Sequence, residues 1–318
     1  MGGAARPFPQ FLGAATLAYN MGGRTVPIFE EHCSRMIPLK RVDHISMGHA
    51  DWEEQSTRLQ QLLGFKLLHS FGAAGKSDFA GSVSQVRGTG IEFEILSPGG
   101  PKSFVRKFLE EGGPRLHHIA VEVHDIDAAA EELQRLGITP FGGVTDDGQW
   151  RLTYIHPKDS GGILWQLFTP YKFYEGEDRN AGGGVAGLKR IEHVSMACVD
   201  LDNQIAFQER VFGMEQIRRW TDEPEGYHGA IMAIPGSLLQ FEMIQPSPPG
   251  SFAQKFIDTR RPGMHHICCE VESVDKTAEG LRSVGIEPYG GVIESDWHRH
   301  TFLHPRDSGG VLFQLFEE

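Results

Sequence analysis

Positive charge is what this 318-residue chain has too little of: 30 Lys and Arg stand against 42 Asp and Glu, a formal charge of −12. The deficit argues against nucleic acid or an anionic membrane surface as a partner, because both are held by clustered cations. Cysteine is scarce as well. The four, Cys33, Cys198, Cys268 and Cys269, form no C-x-x-C pair, and they read as reduced, mostly buried thiols of a cytoplasmic protein. No apolar run reaches the length of about 18 residues that a transmembrane helix needs. The mildly apolar segment Phe11 to Met21 has only Arg6 ahead of it, without the basic start and pure apolar core of a signal peptide. Residues 1–37 are therefore expected to be a surface extension.

What the chain does have is a repeat. Lys40-Arg41-Val42-Asp43-His44-Ile45-Ser46-Met47 matches Lys189-Arg190-Ile191-Glu192-His193-Val194-Ser195-Met196. Leu116-His117-His118-Ile119 matches Met264-His265-His266-Ile267, and His156-Pro157-Lys158-Asp159-Ser160-Gly161-Gly162 matches His304-Pro305-Arg306-Asp307-Ser308-Gly309-Gly310. The offset stays at 148 to 149 residues. This predicts a first module over 38–172, a linker over 173–187 carrying Gly182-Gly183-Gly184, and a second module over 188–318. A shorter period lies inside each module, since His44, His118, His193 and His266 sit 74, 75 and 73 residues apart. Each opens a β-type run followed by a helical pattern: 51–63, 127–136, 202–212 and 274–284. Asp51, Asp127 and Asp202 are the expected N-caps, and Gly64, Gly137, Gly213 and Gly285 the expected stops. Strands are expected at 90–96, 163–168, 238–244 and 311–316. Each quarter thus reads as strand, helix and about three strands, an α+β architecture of four βαβββ units.

Strand alternation then separates two faces. Ile119, Val121 and Val123 suit packing under a helix, which leaves His118, Ala120 and Glu122 on the other side. Glu92 and Glu94 oppose Ile91, Phe93 and Ile95; Gln240 and Glu242 oppose Leu239, Phe241 and Met243. Gln166 and Gln314 interrupt apolar faces in the last strands. If paired quarters curve into a cup, His44, Glu94, His118 and Gln166 meet in one, and His193, Glu242, His266 and Gln314 in the other. Imidazole with carboxylate and amide oxygen suits Fe, Mn, Co, Zn or Ni better than a soft, thiolate-preferring ion.

These motifs resemble the vicinal oxygen chelate superfamily, also called the glyoxalase, bleomycin-resistance and extradiol-dioxygenase superfamily. Within it they look most like the methylmalonyl-CoA epimerases. The resemblance implies paired βαβββ units forming cup-shaped mixed sheets around a divalent metal, with the eight residues above as ligands. Two departures stand out. Gln166 and Gln314 occupy a position that carries a ligand carboxylate in the epimerases, while Glu94 and Glu242 stand where such an enzyme can have Gln. Two modules in one chain look more like the extradiol and 4-hydroxyphenylpyruvate dioxygenases. The epimerase's middle-strand glutamate has no clear counterpart; Ala230 falls near it in the second module, and Ser84 or Gln85 in the first.

A small oxygenated substrate chelated by its vicinal oxygens is the expected partner, and a homodimer is an allowed assembly. Glu94 and Glu242, as the metal-facing carboxylates, are the expected proton-transfer groups. A second acid or base for two-face chemistry would come from Glu122, Glu270, His298 or His300. The resulting expectation is α-proton movement by an epimerase, isomerase or lyase. The alternatives are Fe(II)-dependent dioxygenation and non-catalytic ligand binding.

Overall fold

Four quarters that each bury one face can be satisfied only by packing against one another, and the computed structural model shows how. It describes residues 36–72, 78–171, 181–247, 250–295 and 298–318. Almost all of the expected extension, Cys33 included, and the first half of the expected linker lie outside them. Residues Arg35–Glu318 form one compact unit.

The first module runs β1 (Leu39–Gly48), α1 (Trp52–Leu63), β2 (Lys66–Phe71), β3 (Phe79–Gln85), β4 (Glu92–Pro98), α2 (Phe104–Gly112), β5 (Arg115–Val123), α3 (Ile126–Arg135), β6 (Phe141–Asp146), β7 (Trp150–Ile155) and β8 (Leu164–Pro170). The second repeats it: β9 (Leu188–Ala197), α4 (Leu201–Phe212), β10 (Glu215–Asp222), β11 (Tyr227–Ala233), β12 (Gln240–Pro246), α5 (Phe252–Arg260), β13 (Gly263–Val271), α6 (Val274–Ser283), β14 (Tyr289–Glu294), β15 (Arg299–Leu303), a one-turn α7 (Pro305–Ser308) and β16 (Leu312–Glu317). Each module is one eight-stranded mixed sheet, ordered β2-β3-β4-β1-β5-β8-β7-β6 and β10-β11-β12-β9-β13-β16-β15-β14. The two innermost strands of each sheet, β1 with β5 and β9 with β13, are antiparallel, and each pairs in parallel with the last strand of its own quarter. The α+β expectation of tandem βαβββ units therefore holds.

Local signals placed most helices within two residues. Asp51 accepts from the backbone N–H groups of Glu53 and Glu54 and starts α1, and Gly64 ends it in the left-handed region at φ 72°. The other two N-caps fall two residues earlier than expected, on Asp125 and Asp200, whose extended backbone lets the side chain turn back onto the first turn. The helices α2 and α5 were not anticipated. They are short, Phe-rich and lie on the cup side, so that Phe108 of α2 packs over Gly48.

One buried apolar cluster runs through both modules. At its centre Trp165 of β8 packs against Phe212 and Phe241 of the second module, with ring centroids 4.8 and 5.6 Å apart. The third repeated motif proves to be a reciprocal clasp between modules. Gln55 on α1 donates from Nε2 to the Ser308 carbonyl at 2.7 Å, and Gln204 on α4 donates to the Ser160 carbonyl at 2.9 Å. Gly161 and Gly309, at φ 77° and 79°, lie directly under those amides, where a Cβ would collide with them. Among the described residues no helix is long and apolar enough to cross a membrane.

Candidate metal centre

Adjacent strands bring the candidate side chains together because the pairing register sets them side by side. In the first sheet Ser46 on β1 stands opposite both Glu94 on β4 and His118 on β5, and Ala120 stands opposite Gln166 on β8. His44 and His118 meet with their Nε2 atoms 3.1 Å apart, at 3.8 and 3.7 Å from Glu94 Oε2. Ser46 donates to that carboxylate at 2.7 Å. In the second sheet His193 and His266 Nε2 lie 3.7 and 3.6 Å from Glu242 Oε2. The Gln166 and Gln314 amides face His118 and His266. Both sets of four therefore converge as the alternation predicted.

The donor atoms suit a divalent cation. His193 Nε2, His266 Nε2 and Glu242 Oε2 are all buried and have no hydrogen-bond partner among the described residues. Three such atoms, aimed at one point, are costly unless something there coordinates them. Each triad, His44-Glu94-His118 and His193-Glu242-His266, holds its ligand atoms within 4.8 Å of one another.

Backing groups orient the rings. His44 Nδ1 pairs with Asp43 at 2.8 Å, and His193 Nδ1 with Glu192 at 2.6 Å. Strict alternation would send Asp43 and Glu192 to the opposite face. A register shift in the β1–β5 and β9–β13 pairings at these positions turns them back toward their histidines. Burial alone would lower His44, but Glu94 and Asp43 hold it above the ordinary imidazole value. The field that draws a proton onto His44 would equally attract a metal ion. His193 is raised likewise by Glu242 and Glu192 against its burial. Their partners His118 and His266 are pushed well below the ordinary value, chiefly by burial and then by neighbouring histidines. His117 and His265 stand behind those two rings at 2.8 and 2.9 Å and are held at about 4 by burial. Such outer partners fix the tautomer that a ligand histidine presents. Cys268 lies beside Glu192 and His193, but burial keeps its thiol strongly protonated, so it belongs to this backing layer.

The remaining candidates divide. Glu122 is bound by Lys40 at 3.0 Å and Arg41 at 2.8 Å, and Glu270 by Arg190 at 2.6 Å and by Lys189; both carboxylates are committed to cations. His298 and His300 do line the second cup, and His298 Nε2 reaches Gln314 Nε2 at 3.3 Å. Ser84 and Ala230 pair with Phe93 and Met243 on the helix side, so neither faces the metal position. Gln85 does face the cup, opposite Glu92, and the residues opposite Glu94 and Glu242 are Val83 and Ile231. Two further residues were missed. Glu92, two positions before Glu94 on the same face, is pushed up to about 7, first by burial and then by Asp43. Trp150 stacks on Phe168 with centroids 4.3 Å apart and stands 6.1 Å from His44.

The chain is similar to mitochondrial methylmalonyl-CoA epimerase of Homo sapiens, with 32% identity over 140 residues, 42% of this chain and 76% of that protein. An ethylmalonyl-CoA/methylmalonyl-CoA epimerase of Cereibacter sphaeroides is 30% identical over 133 residues, 40% of this chain and 97% of that one. A variant of 4-hydroxymandelate synthase from Streptomyces coelicolor shares the fold across 88% of this chain and 93% of its own, at a TM-score of 0.65 and 17% identity. Residues 43–154 and 192–302 each match the Glyoxalase/Bleomycin resistance protein/Dioxygenase superfamily. Those two segments cover most of the sequence, and the chain belongs to that superfamily.

Proposed function

We propose that the chain is a divalent-metal-dependent enzyme that moves the proton on a carbon next to a carbonyl, as an epimerase, isomerase or lyase. The observation that carries this reading is the trio of orphaned, convergent atoms on His193, Glu242 and His266. In this reading 38–172 and 188–318 are the working modules. His44, Glu94, His118 and Gln166 ligate one ion, and His193, Glu242, His266 and Gln314 the other. A divalent cation bound there supplies Lewis-acid stabilisation of the negative charge that develops on a substrate carbonyl oxygen.

The chain's own groups handle the proton. Glu242 takes it from one face of the substrate carbon, and Glu94 has the same place in the first cup. In this reading His298, held against Gln314 of the last strand, supplies the imidazole on the other side of the substrate. The first cup has Trp150 at the matching place, and indole carries no acid–base function at neutral pH. The second cup is therefore assigned the two-face chemistry. The epimerase relatives make acyl-CoA esters the first substrates to try.

Metal content after dialysis, followed by deuterium wash-in from D2O at the α-carbon of methylmalonyl-CoA and ethylmalonyl-CoA, tests the reading. Wash-in that falls at least a hundredfold in Glu242→Gln supports it. Absence of bound divalent metal from both cups overturns it. Oxygen consumption by the Fe(II)-loaded protein, without wash-in, would replace it with the dioxygenase reading that two histidines and one carboxylate also fit.

A further inference from the structure

The metal-facing triads of the two cups are the same in residue type, yet the walls around them differ. We infer that the cups are matched to different ligands: the second to one bearing a free carboxylate, the first to an uncharged, apolar one. The inference deepens the function proposed above and rests on it.

Four matched positions on the cup faces carry it. His69 and Arg218 stand opposite Val83 and Ile231, which in turn stand opposite Glu94 and Glu242. Glu92 in the first cup is matched by Gln240 in the second, Trp150 by His298, and Leu152 by His300. Three of these changes replace a carboxylate or an apolar side chain with a neutral polar or ring N–H group, and the fourth replaces an imidazole with a guanidinium. All four make the second cup more receptive to an anion.

The second cup carries such groups on both flanks. Arg218 lies over the Trp220 ring at 5.3 Å, on the cup face beside Ile231. His298 and His300 stand with ring centroids 5.1 Å apart, and His300 Nδ1 is buried without a hydrogen-bond partner among the described residues. A guanidinium on one flank and two imidazoles on the other offer charge and directed donors to a carboxylate. The acidic groups facing this wall are Glu242, Glu192 behind His193, and Glu225, whose charge reaches His300. In the first cup Glu92 and Glu94 are both on the face, Tyr154 feels Glu94, and the Trp150–Phe168 stack fills the place of the histidine pair. A ligand carboxylate there would meet two carboxylates and an indole.

The test uses full-length protein with one cup disabled by His118→Ala or by His266→Ala, loaded with Co(II). It is titrated with propionohydroxamate and with succinic monohydroxamate, the same two-oxygen chelator with a distal carboxylate. The second cup is expected to prefer the carboxylate form at least tenfold and the first cup the neutral form. Arg218→Met with His300→Leu should bring the second cup's preference near unity, chiefly by weakening succinic monohydroxamate. Equal preference in both cups overturns the inference, as does a preference that survives the double substitution. If neither cup holds metal, the proposed function fails separately. Imidazole NMR of the metal-free protein then decides: shifts of His298 and His300 with the carboxylate ligand alone sustain the inference, and no shift overturns it.

Discussion

Glu92 shows what a single side chain costs when a cup is built around negative charge. It is largely withdrawn from water, lies near Asp43 and shares a face with Glu94, so it ionises only at about 7 instead of 4.5. Below pH 4.5 Glu92 is protonated in both the folded and the unfolded chain and contributes nothing to the pH dependence of stability. Between 4.5 and 7 the folded protein keeps a proton that the unfolded chain has released, so stability falls as pH rises through this window. Glu92→Gln, which places in the first cup the residue that Gln240 is in the second, removes the penalty. It should stabilise metal-free protein by on the order of 1–2 kcal/mol at pH 8, after allowing for solvent screening, and by almost nothing at pH 4. Chemical denaturation at the two pH values checks this; an equal gain at both would show that ionisation of Glu92 is not the cause. The candidate ligand residues were legible because a strand's period of two keeps His44, Glu94, His118 and Gln166 on one side. Asp43 and Glu192 were not, because a register shift breaks that period at the residues before His44 and His193.

At the scale of elements, the motifs with the strongest repetition turned out to do two different jobs. The histidine strands build the cups, while the Ser-Gly-Gly loops before β8 and β16 build the clasp between modules. Periodicity could place α1 and the strands, but nothing in a linear pattern tells a loop that lines a site from one that receives a partner's amide. The short α2 and α5 were not read from the sequence: α5 has little amphipathic pattern, whereas α2 has a clear apolar face over only nine residues. The clasp has a measurable strength. Gln55→Leu leaves the Ser308 carbonyl buried without its donor, and Gln204→Leu does the same to Ser160. Each should destabilise the protein by about 1–3 kcal/mol, read as a shift in denaturation midpoint without change of slope. A change under about 0.5 kcal/mol in both variants would mean that the amides do not clasp the modules in solution.

For the whole molecule, length and repetition suggested two domains, whereas the packing joins the modules into one core. Trp165 is fully buried, and the rings against it belong to the other module. Its neighbours in the buried cluster come from both sheets, and the segment 181–187 lies against the end of α1 through Val185 and Ala186, whose N–H groups donate to Gln61 and Leu62. Separating the modules would expose the face that each uses to cover the other, so neither has an independent route to its native stability. The full chain is therefore expected to unfold in one transition, with tryptophan fluorescence and far-UV circular dichroism giving the same midpoint. Trp165→Ala should lower the stability of that single transition by about 3–5 kcal/mol, affecting the second module as strongly as the first although the residue belongs to only one of them. Two resolved transitions, with only one moved by the substitution, would show that the modules are stable on their own and that the shared core contributes little to holding them together.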